Sequence, residues 1–92
     1  MTEQQILTAA IEKWGPKHQI DLAVEECSEL IVALMHYGRG RCGSFEVAEE
    51  IADVEIMLEQ LKEVFAFRSV VTEIKADKIV RLKGRILETQ TN

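Results

Sequence analysis

Proline occurs once in this 92-residue sequence, glycine five times and cysteine twice. With so few backbone breakers, long uninterrupted segments are possible. The two cysteines, Cys27 and Cys42, do not make a disulfide framework. Residues Met1 to Leu7 contain no basic stretch leading into an apolar run, so no signal peptide is expected. No stretch approaches the ~20 consecutive apolar residues of a membrane span, so no membrane partner is expected. Basic residues are also in short supply, eleven Lys and Arg against sixteen acids for a net charge of −5. That balance argues against nucleic acid as a partner, because duplex binding draws its affinity from cations on phosphates. Strand patterning is missing too, since no stretch alternates apolar and polar residues. The expectation is a cytoplasmic protein.

What the sequence does contain is helical periodicity. The glycines fall at Gly15, in the cluster Gly38, Gly40 and Gly43, and at Gly84. Between these points the spacing predicts four helices, over about Glu3 to Trp14, Lys17 to Tyr37, Phe45 to Phe65 and Val70 to Glu88. Gly15-Pro16 ends the first and Gly38 the second, while Ser44 and Ser69 are the expected N-caps of the third and fourth. The fold class is all-α, a four-helix chain forming a bundle in one domain over residues 1–92. A chain of this size buries only about 60% of its unfolded surface, so a partner subunit is expected.

Helical wheels place acids where a core belongs. In the third helix Val47, Ile51, Val54, Met57, Leu58, Leu61, Val64 and Phe65 form an apolar arc. Glu50 falls inside it and Asp53 at its edge, whereas Glu55, Glu59 and Glu63 lie away from Glu50. In the second helix Ala23, Cys27, Leu30, Ile31 and Leu34 form the arc, with Leu22 and Ala33 extending it. Glu26 falls inside this arc and Glu29 on its flank, one turn later. An unpaired buried carboxylate costs several kcal/mol or protonates, and neither arc contains a basic residue. Two explanations remain open on the wheel alone. The acids are rim residues of a polar contact, or they hold a divalent cation through hard oxygen ligands, which suits Mg²⁺ or Mn²⁺. There is no Glu-x-x-His for a di-iron bundle and no zinc spacing.

Glu25-Glu26-Cys27-Ser28-Glu29-Leu30 followed by Glu49-Glu50-Ile51-Ala52-Asp53-Val54 resembles the MazG-type all-α nucleoside triphosphate pyrophosphohydrolases. The family motif is Glu-x-x-Glu, a variable gap, then Glu-x-x-Asp, and the pairs Glu26/Glu29 and Glu50/Asp53 match it. The family usually carries glycine just before the second acid, where Ser28 stands here. The resemblance spans Trp14-Gly15 to Arg85, and its specific part is the two motifs. It implies a Mg²⁺-dependent cut between the α- and β-phosphates of a nucleoside triphosphate, with Glu26, Glu29, Glu50 and Asp53 as metal ligands. It further implies a bundle completed by dimerisation, in a homodimer or homotetramer. Glu25 and Glu49, beside the ligands, either orient the attacking water or are solvated neighbours.

Lys78 and Arg81, with Arg85, share a face of the fourth helix, and Lys75 is near. They either hold phosphate oxygens or pair with nearby acids. The segment Gly38 to Gly43 either closes over substrate or is a plain connector. Trp14 is a candidate for stacking on a base, although a small bundle more often uses its tryptophan in the core. Gln19 is a candidate for reading a base edge. Two other functions fit the pattern. One is phosphoribosyl-ATP pyrophosphohydrolase, disfavoured by Ile20-Asp21-Leu22 and Glu55-Ile56-Met57 where basic and aromatic-His residues are expected. The other is a non-catalytic helical dimerisation module, which has no need of acids in apolar arcs.

Overall fold

The computed structural model describes the backbone of residues 1–90 and the side chains of residues 1–88. The described residues form four helices: α1 (Glu3–Trp14), α2 (Pro16–Gly38), α3 (Ser44–Val64) and α4 (Arg68–Gln90). The expected all-α class and helix order are present, and no strand occurs among the described residues. No described helix is long and apolar enough to cross a membrane.

The ends of the helices follow from local chemistry. At α1, Thr2 accepts from the Gln5 N–H at 3.1 Å while the Gln5 side chain accepts from the Thr2 N–H at 2.8 Å, a reciprocal capping box. Gly15 then takes φ +90°, a conformation that a side chain would oppose, and Pro16 opens α2 with its φ already set for a helix. At the other end of α2 the N–H groups of Arg39, Gly40 and Arg41 turn back onto the carbonyls of Met35, His36 and Tyr37. The left-handed residue there is Gly40, φ +71°, two residues beyond the expected stop at Gly38.

Two expected caps are displaced. Gly43, and not Ser44, is the N-cap of α3, and its N–H donates to the Glu46 carboxylate at 3.0 Å. Glu46 thus supplies the N3 half of a capping box, accepting from the N-cap N–H, while glycine at the N-cap has no side chain to return the bond. Ser69 lies within α4, because the Phe67 carbonyl already accepts from the Val71 N–H at 3.0 Å. The turn before it runs through Ala66 at φ +53°, the only non-glycine residue with positive φ among those described.

Helices α2 and α3 are antiparallel and make the principal packing contact, while α1 lies against both. Helix α4 meets only α3 among the described residues. The buried apolar set is correspondingly small: Leu7, Ala23, Ala33 and Met57. Many other apolar side chains of the two arcs are open to solvent, among them Ile31 at 59% and Leu34 at 49% exposure. Trp14 is corrected from a core residue to an exposed one, at 53%. As the last residue before the Gly15–Pro16 reversal, it lies beside the next helix. Its ring stands 6.2 Å from that of His18, with the Lys13 ammonium 5.3 Å from its centroid.

Ala66 provides a test of the α3–α4 turn. An L residue in the left-handed region is strained, so Ala66→Gly should raise stability by about 0.5–1 kcal/mol, and Ala66→Val should lower it by at least that much. Chemical denaturation midpoints at constant m-value check both.

Candidate metal centre

The seam between α2 and α3 has heptad spacing on both sides. Along α2 it comprises Gln19, Ala23, Glu26, Leu30 and Ala33, and along α3, in the opposite direction, Gln60, Met57, Asp53, Glu50 and Glu46. Spacing of alternately three and four residues keeps one stripe of each helix facing the other. Three of the seam positions are small alanines or methionine that are fully buried, and the centre is acidic.

There Glu26, Glu29 and Glu50 converge, each offering a carboxylate oxygen within 4.8 Å of the others. Glu26 and Glu50 are half-buried, and Glu29 is exposed. One oxygen of Glu26 and one of Glu50 are sealed from solvent and receive no hydrogen bond. Burial raises the carboxyl pKa of Glu26 above its ordinary value of 4.5, and the negative charges of Glu29, Asp53 and Glu50 raise it further. The Glu50 carboxyl is raised in the same way, by burial first and then by Glu29, Asp53 and Glu49. Asp53 is thus close enough to act on both groups, although it is exposed and lies outside the converging trio.

A pocket of about 440 Å³ opens from this cluster. Its lining is acidic at Glu25, Glu29, Glu46 and Glu50, apolar at Val32 and Ala33, and includes His36 and Cys42. No lysine or arginine lines it. The donor set fits a hard divalent cation: oxygen ligands only, no competing ammonium or guanidinium, and two buried lone-pair sites without a donor.

The remaining sequence candidates are placed as follows. Glu25 lines the pocket, whereas Glu49 is exposed and bears on the site through its charge next to Glu50. Gln19 is buried at 1% exposure; its amide nitrogen donates to Gln60 Oε1, and its oxygen lies 2.7 Å from His18 Nδ1. Trp14 keeps one face open beside His18. Lys75, Lys78 and Arg81 are not brought to the acids within one chain. Lys75 lines a groove with Glu55, Leu58 and Glu59, on the side of α3 turned away from Glu50. Lys78 and Arg81 border a shallow recess with Ile74 and Asp77 on α4 itself. Of the loop Gly38 to Gly43, Cys42 reaches the pocket, with Sγ 3.5 Å from the Ala33 carbonyl oxygen. Glu46 escaped the sequence reading, and Ser28, also on the pocket wall, was read there only as the small residue before Glu29. Glu46 precedes Glu50 by one turn on the same face, a spacing that was there to be read.

The raised pKa values give a pH test. A carboxyl whose folded pKa lies above its unfolded value binds its proton more tightly when folded. Its contribution to stability is present below about pH 4.5 and is lost as pH rises through the folded pKa. In EDTA, Glu50→Gln should therefore melt above the wild type at neutral pH, and the gap should close as pH falls below the ordinary glutamate range. An equal melting temperature at pH 7 would mean the Glu50 charge is not strained. Comparison with known protein families, with characterised proteins and with solved structures finds no match to this chain.

Proposed function

We propose that the chain is the subunit of a Mg²⁺-dependent nucleoside triphosphate pyrophosphohydrolase, which hydrolyses a (d)NTP to the (d)NMP and pyrophosphate. The observation carrying this reading is the convergence of Glu26, Glu29 and Glu50 within 4.8 Å, with two buried oxygens lacking donors and no basic residue on the pocket wall. Glu26, Glu29, Glu50 and Asp53 hold the ion, with Mn²⁺ as an acceptable substitute. Bound Mg²⁺ supplies positive charge for the triphosphate oxygens and acidifies the water that attacks the α-phosphorus. Glu25, on the pocket wall, orients that water and accepts its proton, and Glu49 supports Glu50 from the neighbouring position.

The same reading includes a second copy of the chain. Among the described residues helix α4 touches only α3, and Val70, Ile74, Ile79, Leu82 and Ile86 stand at 48–56% exposure along its length. Lys75, Lys78 and Arg81 lie away from Glu26, Glu29 and Glu50 of their own chain, so a role for them at the triphosphate requires α4 of a second copy. Trp14 offers its open face to a base.

Pyrophosphate release from a panel of canonical and modified (d)NTPs, with phosphoribosyl-ATP included, tests the reaction. Release of pyrophosphate and a monophosphate should depend on Mg²⁺ and vanish in EDTA. Glu50→Gln and Asp53→Asn should each lower kcat/KM by at least about 10³-fold, equivalent to 4 kcal/mol of transition-state stabilisation, while circular dichroism shows the helices intact. Glu55→Gln, across α3 from the site, should leave turnover unchanged. Retained activity in both acid variants would remove the metal site from the reaction.

A bound ion also stabilises the fold, by about 2.7 kcal/mol at one hundred times its Kd. Thermal melts with and without Mg²⁺ should show that gain, and sedimentation equilibrium should show a dimer or tetramer. A chain that gains nothing from Mg²⁺ and releases no pyrophosphate is the non-catalytic helical module.

A further inference from the structure

The α2–α3 seam raises a question of register. Its acidic centre is repulsive in the absence of a cation, and its apolar positions, Ala23, Leu30, Ala33 and Met57, distinguish poorly between one helical register and the next. Apolar contacts are non-directional, so a slide of one turn, about 5.4 Å, exchanges one set for a similar one. Something in the seam has to be both attractive and specific to position.

We propose that the buried Gln19–Gln60 amide pair is a register lock: it sets α2 against α3 so that Glu26 lies across from Asp53 and Glu29 across from Glu50. Gln19 stands one heptad before Glu26, and Gln60 stands one heptad beyond Asp53, so the pair occupies the next polar rung of the same antiparallel ladder. Both amides are buried, at 1% and 4% exposure, and the Gln19 nitrogen donates to the Gln60 oxygen. His18 Nδ1, 2.7 Å from Gln19 Oε1, orients the amide by donating to its oxygen, which turns the nitrogen toward Gln60. A slide of one turn breaks this rung and leaves the Gln19 nitrogen and the Gln60 oxygen buried without each other, a penalty that no apolar position imposes. A buried polar pair at a heptad position is a known means of fixing helix register. Gln19 and Gln60 are positioning residues for the carboxylates, and the proposal rests on the metal-centre reading for its consequence, though not for its geometry.

The test reads register directly. Cys27 and Cys42 are replaced by alanine, and spin labels are placed at Val24, 63% exposed on α2, and at Glu55, exposed on α3. Labelled chains are diluted with unlabelled ones so that electron–electron dipolar spectroscopy reports distances within a chain. The parent should give one narrow distance. Gln19→Met with Gln60→Met, which preserves side-chain shape and removes the hydrogen bond, should broaden it or add a population displaced by about one turn. An unchanged narrow distance in that double variant overturns the lock. If the double variant does not fold, Gln60→Glu is read instead, because it keeps the acceptor for Gln19. A narrow parental distance there sustains the proposal, and a broadened one overturns it. Mn²⁺ binding, followed by the loss of its free-ion spectrum, should weaken at least tenfold in the double methionine variant. Should the parent show a narrow distance and no Mn²⁺ binding at all, the metal reading fails while the lock stands.

Discussion

Glu26 and Glu50 each hold a carboxylate oxygen that is sealed from water and receives no hydrogen bond, and the rest of the molecule is arranged around that constraint. A carboxylate in such a place either takes up a proton or demands a cation, and burial together with mutual repulsion pushes both pKa values upward. The middle of the α2–α3 seam therefore works against its own closure. Closure is enforced from the two ends. The loop from Arg39 to Gly43 ties the helices at one end, with Glu46 capping the start of α3 and Cys42 folded against the Ala33 carbonyl. The Gln19–Gln60 pair joins them at the other. The strained carboxylates sit between the two fastenings, which is how a fold can hold groups that would separate if free.

The composition of the core serves the same end. Two of its four fully buried apolar residues are alanines, Ala23 and Ala33, both on α2 and both on the face turned to α3. Small side chains let two helix backbones approach closely, and close approach is what brings acids from different helices within 4.8 Å. A leucine-rich seam would bury more area and hold the carboxylates apart. The cost is a chain with little core of its own: among the described residues Leu7 and Met57 are the only large apolar side chains that are buried. For a domain of this size that is a thin source of stability, and the long apolar faces left open on α2, α3 and α4 are where the remainder has to come from.

Much of this was legible in the sequence, and the illegible part has a physical pattern. Helix existence and order follow from spacing and from a handful of glycines, and Glu26 and Glu50 stood out because they interrupt apolar arcs. Periodicity identifies the face of a helix, but it does not identify what the face meets. Gln19 therefore looked like a free amide, since nothing in its neighbourhood names Gln60 as its partner. Trp14 was expected in the core by virtue of its size, yet its place is decided by the Gly15 reversal, a backbone feature that leaves the ring on the outer side of a corner. The displaced caps at Gly43 and Phe67 have a similar origin. Ser44 and Ser69 are good caps in isolation, and tertiary turns with their own hydrogen bonds pre-empted them. The arc of α3 reads as one continuous apolar surface, and a single chain covers only part of it.

The separation of charge within the chain bears on how two copies would meet. Glu26, Glu29 and Glu50 converge at the α2–α3 seam, while Lys75, Lys78 and Arg81 lie on α4, which among the described residues meets α3 and not α2. The chain thus carries a negative groove and a basic helix that it cannot bring together by itself. A two-fold pairing is self-complementary by construction: whatever one subunit offers to its partner it receives in return. In the proposed dimer, laying α4 of each copy along the open apolar faces of the other would bury the uncovered isoleucines, leucines and valines. The same step would carry lysines and arginine toward the partner's carboxylates. One operation would then answer both the deficit of core and the division of charge, and that shared solution is the physical argument for the proposed pairing.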